Sequence, residues 1–200
     1  VEPCVKGSLF VMGVVAVRRH LESGAITEDQ LAVRLGREAL DSLDQKIDIE
    51  RWYPIRAFTG MVDVDWELAG AREPDYMRRS GRDAAARFFR TGIYQQLDYA
   101  KRAKRVQSRR SLLRQARLVM SVTESLYDFL ETAVAIEGGR LRIHYANAAL
   151  FTEALRYTTE GFMNEINRQQ GASRSWTSER VAPDRLRFQL ELPDWLPEGD

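Results

Sequence analysis

Apolar residues recur along this chain in two rhythms. Up to Tyr127 they fall mostly at helical spacing, and from Leu130 onward they come in short alternating or β-branched runs. The first run predicts a helix over Ser8–Ser23, with Ser8 as N-cap and Gly24 as the stop. Its residues Leu9, Phe10, Val11, Met12, Val14, Val15 and Val17 are apolar on nearly every face, so it is expected to be buried on several sides or packed against a partner. Thr27 and Gln30 form a capping-box pattern that opens a second helix with Leu31, Leu35, Ala39 and Leu43 as its stripe. Trp52-Tyr53-Pro54 is read as the opening of a third helix, carrying Ile55, Phe58, Met61, Val62, Trp66 and Leu68. A fourth runs from Glu73-Pro74-Asp75 to Gly92, a fifth carries Tyr94, Leu97 and Tyr99, and a long sixth spans Ser108–Tyr127.

The period then changes. Leu130–Ile136 and Leu141–Tyr145 read as strands joined at Gly138-Gly139, a hairpin signal. Phe151–Gln169 reads as a seventh helix, and Ser173–Arg180 and Arg185–Leu192 as two more strands around Ala182-Pro183-Asp184. The expected fold class is therefore α+β, a helical N-terminal half followed by a β-β-α-β-β antiparallel sheet unit. One domain is expected over 1–192, helical at 8–127 and sheet at 129–192, with 193–200 a polar tail holding Trp195.

Composition narrows the function. The chain has 200 residues, 44% hydrophobic and 30% charged, enough to bury a sizeable core. Its formal net charge of +1 gives no global pull toward nucleic acid or membrane. Cys4 is the one cysteine, which excludes an internal disulfide framework and a cysteine-built zinc site and suits a reducing, cytoplasmic setting. The longest apolar run, Leu9–Val17, falls well short of the roughly 18 residues of a membrane span, and its charges follow it rather than precede it, unlike a signal peptide. The chain opens on Val1, from which a processed or trimmed start is expected.

Chemistry-bearing motifs are sparse. His20 and His144 lack a second histidine or cysteine at ligand spacing. Either could in principle serve as a haem axial ligand; the plainer reading is a surface imidazole for His20 and a sheet-face residue for His144. No nucleophile elbow, Walker loop or dinucleotide fingerprint occurs, so no catalytic residue is assigned. Asp63, Asp65 and Glu67 alternate within one helix and are read as a solvated face, and Asp41, Asp44, Asp48 and Glu50 as a loose acidic link. Lys101, Arg102, Lys104, Arg105, Arg109, Arg110, Arg114 and Arg117 follow one another with no intervening acid. Of these, Arg102, Arg105, Arg109, Arg110 and Arg114 are a candidate patch for an anion or a protein partner. The plainer reading is a solvated helix junction, and the absence of interleaved aromatics argues against nucleic acid. The aromatics concentrate elsewhere, and Trp52, Tyr53, Phe58, Trp66, Phe88 and Tyr94 are the candidate lining of an apolar pocket, with core packing as the alternative.

Val5-Lys6-Gly7-Ser8, Trp52-Tyr53-Pro54, Gly92-Ile93-Tyr94 and the strand pair around Pro183-Asp184 resemble an uncharacterised protein family best known from myxobacteria. The β-β-α-β-β ending is similar to the fold shared by haem–nitric-oxide-binding domains, vinyl-reductase-type sensor domains and small subunits of the TRAPP tethering complex. That resemblance implies a ligand-pocket or dimerising module. The haem-binding members carry Tyr-x-Ser-x-Arg for the propionates, whereas Tyr53-Pro54-Ile55-Arg56 and Tyr76-Met77-Arg78 lack the serine and the spacing. The vinyl-reductase-type sensors hold zinc with several cysteines, and this chain offers Cys4 alone. The expectation is a non-enzymatic sensor-like or protein-interaction domain, homodimeric or bound to a protein partner, with no cofactor. The alternative is a sensor for a small ligand, or for haem, with an apolar pocket.

Overall fold

A short strand, β1 (Cys4–Lys6), pairs antiparallel with β2 (Trp52–Pro54), Val5 opposite Tyr53. The computed structural model describes residues 2–91, 108–169 and 174–196. Between the two strands run α1 (Gly7–Glu22), α2 (Glu28–Leu35) and α3 (Arg37–Asp44). α4 (Ile55–Leu68), α5 (Pro74–Thr91) and α6 (Arg109–Leu126) complete the helical half. The sheet half is β3 (Glu131–Glu137), β4 (Arg140–Ala146), a 3-10 turn at Ala148–Leu150, α7 (Glu153–Gln169), β5 (Thr177–Ala182) and β6 (Arg185–Glu191). The α+β class and the β-β-α-β-β order are as the pattern predicts.

Ser8 does not cap the first helix, which begins at Gly7 after Lys6 with no side-chain cap hydrogen bond, and two further local expectations change. Trp52-Tyr53-Pro54 does not open a helix, because these residues pair with β1 and the helix begins at Ile55. Pro54 stands just before that helix in extended backbone (φ −54°, ψ 127°), where its missing N–H costs nothing. The stripe from Leu31 to Leu43 belongs to two helices. Gly36 adopts φ +81°, outside helical space, and Thr27 with Gln30 forms the full capping box for the first of the pair only.

The sheet runs β3-β4-β6-β5, antiparallel throughout, with Val134 opposite Ile143 and Ile143 opposite Phe188. Period-two alternation sorts its faces. Leu141, Ile143 and Tyr145 of β4 and Leu186, Phe188 and Leu190 of β6 are buried beneath α6 and α7. The opposite face carries Arg140, Arg142, His144, Arg185 and Arg187, so His144 is the sheet-face residue its strand position predicts. Leu196 closes over the same core. One apolar cluster joins the halves, from Phe10 and Phe58 through Leu112 to Phe188, and the start of the chain is stitched to the sheet unit where the Cys4 amide donates to Asp128 Oδ1 at 2.6 Å.

α5 and α7 cross with their backbones in contact. A Cβ at Gly81 would lie 1.9 Å from the Thr158 carbonyl oxygen, and one at Gly161 would lie 2.0 Å from that of Arg78. Only a residue without a side chain allows this approach. The expected burial of Leu9–Val17 is met within the chain, where Phe10, Val14 and Val17 enter the core and Val15 is the member most exposed.

Candidate functional site

α1, α4, α5, α6 and α7 converge on an apolar cavity of about 160 Å³. α1 contributes Leu9, Met12, Gly13 and Ala16, and α4 contributes Phe58, Val62 and Asp65. Met77, Ser80 and Ala84 come from α5, Val119, Val122, Thr123 and Leu126 from α6, and Leu155, Thr158, Thr159 and Phe162 from α7. Tyr127, the residue that ends α6, completes the wall. Gly13, Ala16 and Ala84 keep the helix faces shallow here, and at Gly13 even a methyl group would come within 3.2 Å of Met61.

Among the described residues, one carboxylate reaches this wall. Asp65 Oδ1 accepts from Arg19 Nη2 at 3.1 Å and from His20 Nε2 at 2.8 Å, and Oδ2 accepts from the Tyr76 hydroxyl at 3.0 Å. Burial, and then the charge of Asp65, push the Tyr76 phenol upward. Here the sequence reading needs correction twice: Asp65 is not on a solvated face, and His20, at 7% exposure, is not a surface imidazole. The signal was in the spacing. Asp65 stands four and seven residues after the inward Met61 and Phe58, and His20 three and six after Val17 and Val14. The other carboxylates of the string differ. Burial raises Asp63, whereas hydrogen bonds from Arg72 (2.7 Å) and Arg34 (2.8 Å) hold Glu67 below its usual range.

A second polar network clamps the same helices from outside the cavity. Glu160 of α7, 5% exposed, accepts from Arg78 Nε of α5 at 2.6 Å and from the Ser178 hydroxyl of β5. Arg156 donates to the Ser178 carbonyl at 2.7 Å and to Glu153 at 2.7 Å. α5, α7 and the sheet edge are thus held by charge-assisted bonds as well as by the glycine contact.

Of the aromatics proposed for a pocket, Phe58 lines this cavity. Trp52 is 41% exposed, with the Lys6 ammonium 4.5 Å above its ring. Tyr53 stacks on Phe10 at 4.5 Å, and its hydroxyl accepts from the Asp48 amide. Trp66 packs with Met77 and Ala154 in a separate small cluster, and its indole donates to the Glu73 carbonyl at 2.9 Å. The Phe88 side chain and Tyr94 lie outside the described residues. So do Arg102 and Arg105 of the basic patch. Arg109 stands half-buried at the start of α6, while Arg110, Arg114 and Arg117 form one exposed stripe opposite Leu112 and Ala116.

Leu9, Met12 and Val62 were legible as apolar helix positions but not as the lining of a cavity, and the hydroxyl-bearing residues of the wall went unread in the sequence. Tyr127 is the most informative. Its side chain is buried, packed edge-on against Phe129 (5.9 Å) and Phe151 (5.3 Å), and burial pushes its phenol upward.

No protein-family model and no curated protein matches the sequence. Solved structures do. The chain is similar to an H-NOX protein mutant from K. algicida in the Fe(II) unliganded state, with TM-score 0.55 at 12% identity, over 96% of this chain and 98% of that one. It is also similar to a structure from a study of heme distortion in the H-NOX family, with TM-score 0.55 at 12% identity over 98% of each chain. An H-NOX protein from S. oneidensis in the Fe(II)NO ligation state gives TM-score 0.50 at 12% identity, over 94% and 99%. Along nearly its whole length, this chain has the fold of the H-NOX proteins.

Proposed function

We propose that this chain is a non-enzymatic sensor domain that takes a small apolar ligand, rather than haem, in the cavity among α1, α4, α5, α6 and α7. The carrying observation is the wall itself. Among the described residues it is built of aliphatic, phenyl, thioether and hydroxyl side chains around one carboxylate that is already hydrogen-bonded, and neither imidazole of the chain lines it. The volume of about 160 Å³ is of the order that accepts one benzene ring, and a porphyrin is several times larger.

The residues do not fit a haem. His20 is turned to Asp65, and His144 stands on the far face of the sheet from Ile143 and Tyr145. Met12 and Met77 line the cavity, but a thioether serves haem iron beside a histidine. Tyr127 would have to ionise, and burial opposes that. No tyrosine of the sequence is followed by serine at the second and arginine at the fourth position; Tyr145 is followed by Asn147 and Ala149, and Tyr127 by Phe129 and Glu131. The likeness to H-NOX proteins supports the sensor architecture, and the chain's own side chains support a different ligand.

The test is a titration of the purified protein with hemin and, separately, with benzene. Hemin is expected to give no protein-bound Soret band, and benzene a saturable rise in melting temperature. Ala84→Leu, which places a larger side chain at the wall, is expected to fold and to lose the benzene response. One equivalent of bound haem would overturn the proposal, and so would a benzene response unchanged in Ala84→Leu.

A further inference from the structure

Asp65 brings a carboxylate to the cavity wall, and two other helices fix it there. Arg19 Nη2 at 3.1 Å and His20 Nε2 at 2.8 Å, both of α1, meet Oδ1, and the Tyr76 hydroxyl of α5 donates to Oδ2 at 3.0 Å. A carboxylate offers about four acceptor positions, shared equally by its oxygens. With the described residues as partners, Oδ1 has its positions taken and Oδ2 keeps room for a further donor. The side chain retains 13% of its surface exposed and lines the cavity. Val62, one turn earlier on α4, and Met77, next in sequence to Tyr76, belong to the same wall. An acceptor held in place among apolar groups can read a donor on an otherwise apolar molecule.

We infer that Asp65 selects the ligand: its Oδ2 accepts one hydrogen bond from the O–H or N–H of a small neutral aryl molecule, of the phenol or aniline class. This rests on the proposal that the cavity holds a ligand, and it specifies that ligand's polar group. The direction of the bond follows from the carboxylate, which accepts and does not donate. Neutrality follows from Arg19, whose guanidinium already meets Asp65. A ligand cation would shed its hydration to share a charge that is already paired. An anion would stand against Asp65 itself. The aliphatic and thioether side chains of the wall offer contact for the ring.

Phenol and toluene are nearly the same size, differ in the one donor, and serve as probes. Their affinities are measured by calorimetry on wild type and Asp65→Asn. Against a wall without an acceptor, toluene binds more tightly, because the phenol hydroxyl loses its hydration. Wild type is expected to reverse this and to favour phenol about tenfold, the effect of a hydrogen bond to a charged acceptor. Asp65→Asn keeps the shape of the side chain and removes its charge. It is expected to weaken phenol about tenfold and to leave toluene within about twofold, which also reports that the cavity has formed. Should the variant fail to fold, the wild-type preference decides by itself. Toluene bound more tightly than phenol by wild type, or a phenol affinity untouched by Asp65→Asn, would overturn this inference and leave the cavity proposal standing. Benzylamine, charged at neutral pH, binding more tightly than phenol would overturn the neutral class. Failure of wild type to bind either probe would overturn the cavity proposal itself, and this inference with it.

Discussion

Replacing Gly161 by alanine puts the contact between α5 and α7 on trial. In an ordinary helix, glycine to alanine stabilises by about 1 kcal/mol, because the backbone loses less freedom on folding. At Gly161 the added Cβ would stand 2.0 Å from the Arg78 carbonyl oxygen, 2.7 Å from the Arg78 Cα and as near to its carbonyl carbon. All three are backbone atoms, so no side chain can swing away and the helices must separate by about an ångström. Overpacking of this kind costs about 1–3 kcal/mol and more when backbone must move. Against the propensity gain, the expected net loss is about 2 kcal/mol, or about 4–8 °C in melting temperature for a chain of this length. Urea and thermal unfolding followed by circular dichroism measure it. Because α5 and α7 both wall the cavity, a weaker benzene response should accompany the loss. An alanine variant as stable as wild type, or more stable, would refute the reasoning, since propensity would then be the only effect present.

Glu160→Gln keeps the shape of the side chain and removes its charge from between Arg78 and Ser178. Arg78 keeps Asp75 at 2.8 Å and is itself 30% exposed, so a loss of about 1–2 kcal/mol is expected, and chemical denaturation with no shift in midpoint would count against the clamp. Acid should act through carboxylates held low in the folded state. Hydrogen bonds from Arg168 hold Glu165 below its usual range; at Glu153 burial pushes upward, but the bonds from Arg156 and Arg180 outweigh it. Each group therefore contributes stability that is present above the ordinary glutamate value of about 4.3 and is lost as pH falls through the lower folded value. Stability measured across that range should decline less steeply in Glu165→Gln than in wild type, and parallel curves would contradict the assignment.

The sequence by itself determined what local forces decide. The capping pair Thr27 and Gln30, the Gly138-Gly139 turn and the alternation of Leu141, Ile143 and Tyr145 each act within a few residues, and each appears where the pattern predicts it. Helical spacing also contained the inward positions of His20 and Asp65, but residue type overruled it, because a charged side chain is inward only when partners await it. Those partners arrive from elsewhere, Arg19 and His20 from α1 and Tyr76 from α5. β2 is strand rather than helix because β1, nearly fifty residues earlier, supplies its hydrogen bonds. The aromatics could have been pocket or core, and Trp52, Tyr53 and Trp66 found separate neighbours, whereas the cavity formed where Phe58 meets mainly aliphatic and hydroxyl-bearing residues of five helices. A cavity is what side chains from distant segments fail to fill, so no single segment encodes it, and it exists only once those helices have met.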